Sequence, residues 1–257
     1  MREPARVARR ALLTLGAAAL LPGCATTPDP GTVVERSGPR PPSPSPAAVC
    51  PTNPEVIAKP GNPMQYLPCK GTDIALTIDD GPHPVWTPKV LEVLARHDIR
   101  ATFCVVGSNV ANHPGLAARI VDGGHQIANH TNTHPMNLST LAPARIRAEI
   151  ERADDAIRAA GGGASPRLFR APGGTWSAAI IAACRAAELR PLDWSVDTKD
   201  WTRPGVESIV RTIVGQTRPG SIILDHDGGG NRRQTVDALT IALPRLLDAG
   251  YRFVQPS

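Results

Sequence analysis

Two hydrophobic patterns alternate along the chain from about residue 72 onward. Short runs rich in Ile, Leu and Val, such as 73–79 and 221–226, are typical of buried strands. Longer segments with apolar residues three or four positions apart, such as 87–99 and 141–161, are typical of amphipathic helices. The pattern predicts seven strands with a helix between consecutive strands, and we place the strands at 73–79, 100–107, 125–130, 166–172, 189–196, 221–226 and 251–255.

Regular alternation of strand and helix indicates a parallel sheet, because parallel neighbours need a crossover connection. No G-x-G-x-x-G follows the first strand, so a dinucleotide-binding sheet has no support. We therefore predict an α/β fold, a distorted (β/α) barrel of about seven parallel strands that is similar to a TIM barrel. In such barrels the chemistry lies at the C-terminal ends of the strands.

Polar residues stand where the predicted strands end. Because these ends meet on one face of a barrel, side chains about 150 residues apart in sequence are expected to lie together. The strand-end residues are Asp79, Asp80, His130, Arg170, His226 and the segment 194–200.

The segment "NHTNTHP" contains His130 and His134, four residues apart. One helical turn would place both imidazoles on the same side, a spacing that metal ions favour. Alone, such a pair is more often an ordinary surface or core pair, and no Glu follows His130 to form H-E-x-x-H. A carboxylate from a neighbouring strand end changes this interpretation, since two His and one Asp leave coordination positions for water and substrate.

Asp79 and Asp80 form the "DDGP" sequence at the end of the first predicted strand. An Asx turn before the proline explains one carboxylate and leaves the other at a costly position. If the turn after the strand brings both into one pocket, one Asp can bind a metal while its neighbour stays free as a base.

Five short sequences carry a resemblance to a known family. "TIDDGP", "HTNTH", "RAPGG", "DTKDW" and "LDH" resemble, in this order, the motifs of the polysaccharide deacetylases, the NodB-homology domain of carbohydrate esterase family four. The resemblance covers residues from about 73 to 254. Five motifs in order are far more specific than any one of them.

The resemblance implies a role for each matching residue. It implies one divalent metal ion held by Asp80, His130 and His134, with zinc expected and cobalt or nickel also suited to these ligands. Asp79 resembles the general base and His226 resembles the catalytic acid. The remaining matches are Arg170, which would position the base, Asp200, which would orient the acid, and Gly173, Trp194 and Trp201, which would line the substrate groove.

Glycines mark two places at the expected site. The family commonly has an aromatic residue after the Pro of the third motif, where this chain has Gly173 and Gly174. Gly173 keeps the backbone N–H that would help to hold the oxyanion, and the missing ring is expected to widen one wall. The glycines that follow His226 are expected to let substrate approach closely.

We expect removal of N-acetyl groups from a cell-wall or chitin-like polysaccharide, with N-acetylglucosamine of peptidoglycan preferred. An acetyl-xylan O-esterase is the alternative, since the mechanism needs only an acyl carbonyl. A catalytically inactive glycan-binding lipoprotein is less favoured, because the chain keeps Asp79, His226 and all three metal ligands. The alternation of strands and helices argues against a non-haem iron oxygenase, which would use a similar ligand set.

Residues 1–23 predict an export signal, with a basic stretch, a short apolar run and "LPGC". The apolar run is too short to span a bilayer as a mature helix. "LPGC" resembles a lipobox, although Pro22 is unusual there, and we expect lipidated Cys24 to anchor the protein to the outer face of the cytoplasmic membrane. An ordinary secretion signal is the alternative, and Arg9-Arg10 leaves a twin-arginine route open beside the Sec route.

The remaining chain divides by composition. Residues 24–49 are rich in Pro and Ser and predict an extended tether, 50–71 lead in to the domain, and 72–257 form the catalytic domain. The net charge is +5, but no Lys/Arg stripe suggests nucleic acid as a partner. We expect a monomer whose partners are a polysaccharide and, through the anchor, a membrane.

Export implies an oxidising compartment for the four cysteines after the signal. Cys50 and Cys69 flank a segment rich in Pro, Gly and Asn, and whether they form a disulfide stays open. Cys104 and Cys184 lie inside apolar runs and are expected to be buried free thiols.

Overall fold

Strands and helices alternate in the structure, a computed structural model that describes residues 62–257 apart from 69, 161, 162 and 164. The strands are β1 (Asp73–Asp79), β2 (Thr102–Val105), β3 (Gln126–Asn129), β4 (Leu168–Phe169), β5 (Arg190–Pro191), β6 (Val196–Asp197), β7 (Ile222–His226) and β8 (Arg252–Phe253). The helices are α1 (Trp86–Arg96), α2 (Gly107–Asn112), α3 (Pro114–Asp122), α4 (Pro143–Ala159), α5 (Ala178–Ala186), α6 (Val206–Gln216) and α7 (Arg233–Asp248). Single 3-10 turns lie at Leu138–Thr140, Pro172–Gly174 and Asp200–Thr202.

The strands form one sheet in which every pair of strands is parallel. Their order is β5-β4-β3-β2-β1-β7-β6, and β8 pairs with the first two residues of β1. The predicted barrel-like α/β fold of parallel strands is thereby confirmed. All seven residues of β1 are buried, because β1 is central in the sheet and its side chains meet helices such as α1 and α7.

One predicted strand is two strands in the structure. The first part of the segment predicted at 189–196 forms β5, which pairs with β4 at one edge of the sheet. Its last part leads into β6, which pairs with β7 at the other edge. The same stretch therefore joins both edges and curls the sheet. Between the two pairings, the Met64 N–H donates to the Pro191 carbonyl (2.9 Å), and the Met64 carbonyl accepts from the Asp193 N–H (2.8 Å). A single strand was the wrong prediction here, because backbone from the lead-in segment occupies the middle of the barrel wall.

The lead-in segment also contributes to the core. Met64 and Leu67 are buried, and they pack in a cluster with Ala75, Leu192 and Ile222. Residues 62–68 therefore pack as part of the barrel and form more than a connection to it.

The expected free thiols are present, since Cys104 and Cys184 are buried and form no disulfide. No helix in the described part of the chain is long and apolar enough to cross a membrane. The predicted signal 1–23, Cys24, the tether 24–49 and both Cys50 and Cys69 lie outside the described residues.

Candidate active site

A cavity of about 390 Å³ opens at the C-terminal ends of the strands. Its lining includes residues that the sequence analysis predicted for the site and residues that it did not predict. The lining residues are Asp79, Asp80, His130, His134, Met136, Gly173, Trp194, Asp197, Lys199, Trp201, Leu224, His226 and Arg232. Arg170 and Asp200 stand behind this wall, where each contacts a lining residue.

Asp80, His130 and His134 form a compact group of metal-ligating side chains, with one ligand atom of each within 4.8 Å of the others. Asp80 Oδ1 lies 3.2 Å from His134 Nε2 and 3.5 Å from His130 Nε2. His130 Nδ1 donates to the Arg170 carbonyl (2.8 Å), which leaves the Nε2 lone pair free to face the group. This outer hydrogen bond is the arrangement that holds metal-binding imidazoles in position.

The group fits a divalent cation on its own chemistry. Asp80 Oδ1 is buried and has no hydrogen-bond donor among the described residues. Burial raises the pKa of Asp80, but the neighbouring His130 and His134 imidazoles outweigh it and hold this pKa well below its usual range. Burial lowers the pKa of His134, yet the neighbouring Asp80 raises it overall. The ionised carboxylate of Asp80 thus stabilises positive charge beside it. A cation held by this carboxylate and the two imidazoles would supply that charge.

The loop that carries the two histidines is irregular. The prediction that one helical turn aligns His130 and His134 is wrong, because Thr131 (φ 66°) and His134 (φ 56°) adopt left-handed backbone conformations. Glu149 of α4 accepts from the Thr133 N–H (2.8 Å) and hydroxyl (2.9 Å) and so fastens the loop. The ring centroids still lie 4.9 Å apart, but tertiary contacts bring them together.

Asp79 is held by a buried arginine. Arg170 Nη1 donates to Asp79 Oδ1 (2.7 Å) and to the Thr77 hydroxyl (2.8 Å), while its Nη2 donates to the Asp193 carbonyl (2.8 Å). The other carboxylate oxygen, Asp79 Oδ2, lies 3.7 Å from His130 Nε2. One oxygen is therefore held by a charge-assisted hydrogen bond, and the other points toward the metal-ligating group.

His226 pairs with Asp200 across the cavity wall. The His226 Nδ1 lies 2.6 Å from Asp200 Oδ1, and the His226 backbone N–H donates to Asp200 Oδ2 (3.0 Å). Thr235 also donates to Asp200 Oδ2 (2.6 Å). Burial lowers the pKa of His226, but the hydrogen bond and charge of Asp200 raise it to about 9. Asp200 therefore favours the charged form of the imidazole, and Nε2 is the ring nitrogen that Asp200 does not contact.

Two exposed apolar side chains stand at the cavity mouth. Trp201 is 54% exposed and Met136 is 62% exposed. Gly173 has φ 62°, and a Cβ there would lie 2.8 Å from Met136 Cε. Met136 therefore partly occupies the place that the missing aromatic ring was expected to leave open. Trp194 packs beside Gly174, whose added Cβ would lie 2.7 Å from the indole.

Sequence reasoning missed several residues around the cavity. Arg232 is 4% exposed, lines the cavity and donates from Nε to the Gly228 carbonyl (2.5 Å). Gly228 and Gly229 were expected to admit substrate, but both lie against Asp80. In the sequence, the run of glycines indicated only that some group packs closely against this segment. It did not indicate that the group is Asp80.

Comparison with known proteins places the chain in a family. A family model for polysaccharide deacetylase matches residues 68–192. A chitooligosaccharide deacetylase from Bradyrhizobium sp. is 45% identical over 198 residues, which cover 72% of this chain and 90% of that protein. A peptidoglycan-N-acetylglucosamine deacetylase from Bacillus cereus is 40% identical over 190 residues, which cover 72% of this chain and 86% of that protein.

A solved structure agrees with these relatives. The crystal structure of a peptidoglycan N-acetylglucosamine deacetylase in complex with 4-naphthalen-1-yl-N-oxidanyl-benzamide is similar to this chain with a TM-score of 0.71 and 34% identity. The match covers 74% of this chain and 89% of that one. The chain therefore belongs to the polysaccharide deacetylases of carbohydrate esterase family four, as its five motifs indicate.

Proposed function

We propose that the protein is a metal-dependent hydrolase that removes N-acetyl groups from N-acetylglucosamine units of a polysaccharide, with peptidoglycan as its substrate. One observation carries the proposal. A single cavity holds a metal-ligating group, a carboxylate next to it and an imidazole paired with a second carboxylate. These are the parts that hydrolysis of an unreactive amide requires.

Asp80, His130 and His134 would hold the metal ion, because they offer one oxygen and two nitrogen atoms within 4.8 Å of one another. When bound, a divalent ion lowers the pKa of water and polarises the acetyl carbonyl. Nitrogen and oxygen ligands of this kind suit zinc, and they also suit cobalt or nickel.

Asp79 is placed to act as the general base. Its Oδ1 is occupied by Arg170, so the proton that leaves the attacking water goes to Oδ2. As the water oxygen bonds to the acetyl carbon, negative charge develops on the carbonyl oxygen. The backbone N–H of Gly173, which lines the cavity, would stabilise that charge.

His226 is placed to act as the general acid. The carbon–nitrogen bond breaks as the His226 imidazolium gives its proton to the sugar nitrogen, so the products are acetate and a free amine. Asp200 keeps the imidazole charged and oriented for this transfer. No covalent intermediate with the protein is needed.

The preference for peptidoglycan rests on expected location. A lipid-anchored protein on the outer face of the cytoplasmic membrane is next to the cell wall. Relatives that act on chitooligosaccharide and on peptidoglycan N-acetylglucosamine are 45% and 40% identical, values that do not separate the two substrates. The exposed Trp201 and Met136 give the cavity mouth apolar surface on which sugar rings of either polymer can lie.

The test measures acetate released from peptidoglycan, chitooligosaccharides and acetylated xylan, before and after treatment with a chelator. We expect release from peptidoglycan, loss after chelation and recovery with zinc. Asp80→Asn should lose the metal, whereas Asp79→Asn should keep it and lose about 10²–10⁴-fold in kcat. Full activity of metal-free protein would overturn the metal site, and release from acetylated xylan alone would overturn the substrate.

A further inference from the structure

The segment after β7 packs directly against the turn that carries Asp80. An added Cβ at Gly228 would overlap the Asp80 carbonyl, and one at Gly229 would lie 2.8 Å from Asp80 Oδ2. An added Cβ at Gly81, the residue after Asp80, would overlap the carboxylate of Asp227. Asp227 to Gly229 and the Asp80 turn therefore interlock with no room for further atoms.

Asp227 connects this contact to helix α1. Its backbone N–H donates to the Asp79 carbonyl (3.0 Å), and its Oδ2 accepts from the Thr87 hydroxyl (2.5 Å). The same hydroxyl accepts from the His83 N–H (2.7 Å). Thr87 and Asp227 are both fully buried. One hydroxyl thus ties the end of β7 to the loop that continues from Asp80.

Other bonds fasten the interlocked segments at their sides. Asn109 Nδ2 donates to the Asp80 carbonyl (2.8 Å), and Arg232 Nε donates to the Gly228 carbonyl (2.5 Å). Asp80 itself has φ 75°, a left-handed conformation that a residue with a side chain adopts only when its surroundings hold it there. The turn therefore depends on these neighbours to keep its carboxylate in reach of His130 and His134.

We propose that Thr87, Asp227 and Gly228 are positioning residues that hold the Asp80 carboxylate for metal binding. None of the three lines the cavity, so they would act through Asp80 and not on substrate. The inference rests on the proposed role of Asp80 as a metal ligand. Groups that orient metal ligands in this way commonly change metal affinity by about 10-fold to 100-fold when they are replaced.

Substitutions of Thr87 give the sharpest test. Thr87→Val keeps the shape of the side chain and removes the hydroxyl, whereas Thr87→Ser keeps the hydroxyl. Thr240→Val is a control, because the only hydrogen bond of its hydroxyl to a described residue goes to the Val236 carbonyl within α7. Zinc affinity is measured on the full chain in detergent, by competition with a chromogenic chelator below the melting temperature of every metal-free variant.

We expect Thr87→Val to weaken zinc binding by about 10-fold to 100-fold, with Thr87→Ser and Thr240→Val close to wild type. Gly228→Ala should weaken zinc binding as well. Its control is Gly215→Ala in α6, where an added Cβ lies within 4 Å of no other described residue outside its own helix backbone. Melting of the metal-free variants separates the two roles, since a purely structural effect lowers stability and leaves the zinc affinity of the folded protein unchanged.

The outcomes distinguish this inference from the proposed function. Unchanged zinc affinity in both Thr87→Val and Gly228→Ala, with wild-type protein binding zinc through Asp80, would overturn the positioning role alone. Fully active wild-type protein that binds no zinc would instead overturn the metal site on which the inference rests.

Discussion

Adjacent carboxylates at the end of a buried strand have separate environments in this protein. Asp79 is the last residue of β1 and its side chain meets the buried Arg170. Asp80 turns out of the strand with φ 75°, which directs its carboxylate to His130 and His134. One residue can therefore remain a base beside a metal ion while its neighbour binds that ion. Each carboxylate therefore has partners of its own, the Arg170 guanidinium for Asp79 and two imidazoles for Asp80.

The acid role of His226 predicts a dependence on the leaving group. An amide needs a proton on its departing nitrogen, while an aryl acetate has a good leaving group and needs less help. We expect His226→Ala to lose about 10²–10⁴-fold in kcat on an N-acetylglucosamine oligomer and much less on an aryl acetate. Turnover of both substrates by the purified variant measures this.

Metal content and folding provide the controls for that variant, and both should match wild type because His226 is not among the metal-ligating group. Equal losses on the amide and the ester would show that His226 shapes the pocket and is not the leaving-group acid.

The pairing of His226 with Asp200 predicts a pH dependence. Activity needs the imidazolium, so it should fall as pH rises through the pKa of His226. Asp200 raises this pKa to about 9 from an ordinary value of 6.5. A bound cation nearby opposes the rise, so we expect the alkaline limb of kcat between these two values. Asp200→Asn should move that limb to lower pH, because burial then lowers the pKa without the opposing charge.

The measurement is kcat against pH on an N-acetylglucosamine oligomer for wild type and Asp200→Asn. An alkaline limb that stays in place in the variant would mean that it reports another group, such as metal-bound water.

Several of the residues that line the site could be predicted because they interrupt hydrophobic runs at strand ends. Asp80, His130 and His226 are examples, and their order matches a family whose five motifs are distinctive. Thr87 and Asp227 gave no such indication, since a Thr near the start of a helix and an Asp in a glycine-rich turn are common. Their importance follows from a contact across 140 residues of sequence, which periodicity cannot show.

At the scale of elements, contacts between distant segments also explain why the division of the barrel wall between β5 and β6 was not predicted. Period and composition located β1 and β7 well, because both are runs of mostly buried residues. They could not show that 189–196 would divide between two edges. That division depends on Met64, which comes from a segment whose Pro- and Asn-rich composition is typical of a loop. The histidine loop is a similar case, since Glu149 of the distant α4 holds its shape.

The buried Met64 predicts that the lead-in segment stabilises the domain. Met64 is 2% exposed and packs with Leu67, Ala75 and Leu192. Met64→Ala should lower the free energy of unfolding by about 2–5 kcal/mol, as expected for a large-to-small change in a core. Urea denaturation measures the change. Ile241→Ala is the control, because Ile241 is 38% exposed on α7 and should cost much less. Equal costs for the two variants would show that the segment packs only weakly.

At the scale of the whole molecule, the barrel explains why one cavity needs so many separate segments. The ends of β1, β3, β4 and β7 each supply one part of the site, and parallel pairing brings these ends to one side of the sheet. The groups that orient the site lie one layer behind it, as Arg170 and Asp200 do. The site therefore opens on one side of the sheet, where these strand ends meet.

We propose that the sequence before the domain attaches the protein to a membrane. "LPGC" resembles a lipobox, and residues 24–49 are rich in Pro and Ser, which favours an extended tether of the kind that holds a domain away from a bilayer.

We expect the wild-type protein in the membrane fraction and Cys24→Ala in the fluid outside the cytoplasmic membrane, with unchanged acetate release per molecule. Cys50→Ala is the matched control, because Cys50 follows the tether and has no lipobox before it. It should stay with the membrane. Fractionation of cells that express each variant measures the distribution. Equal membrane retention of Cys24→Ala and wild type would rule out a lipid anchor at Cys24, and an ordinary secretion signal would then better explain the first 23 residues.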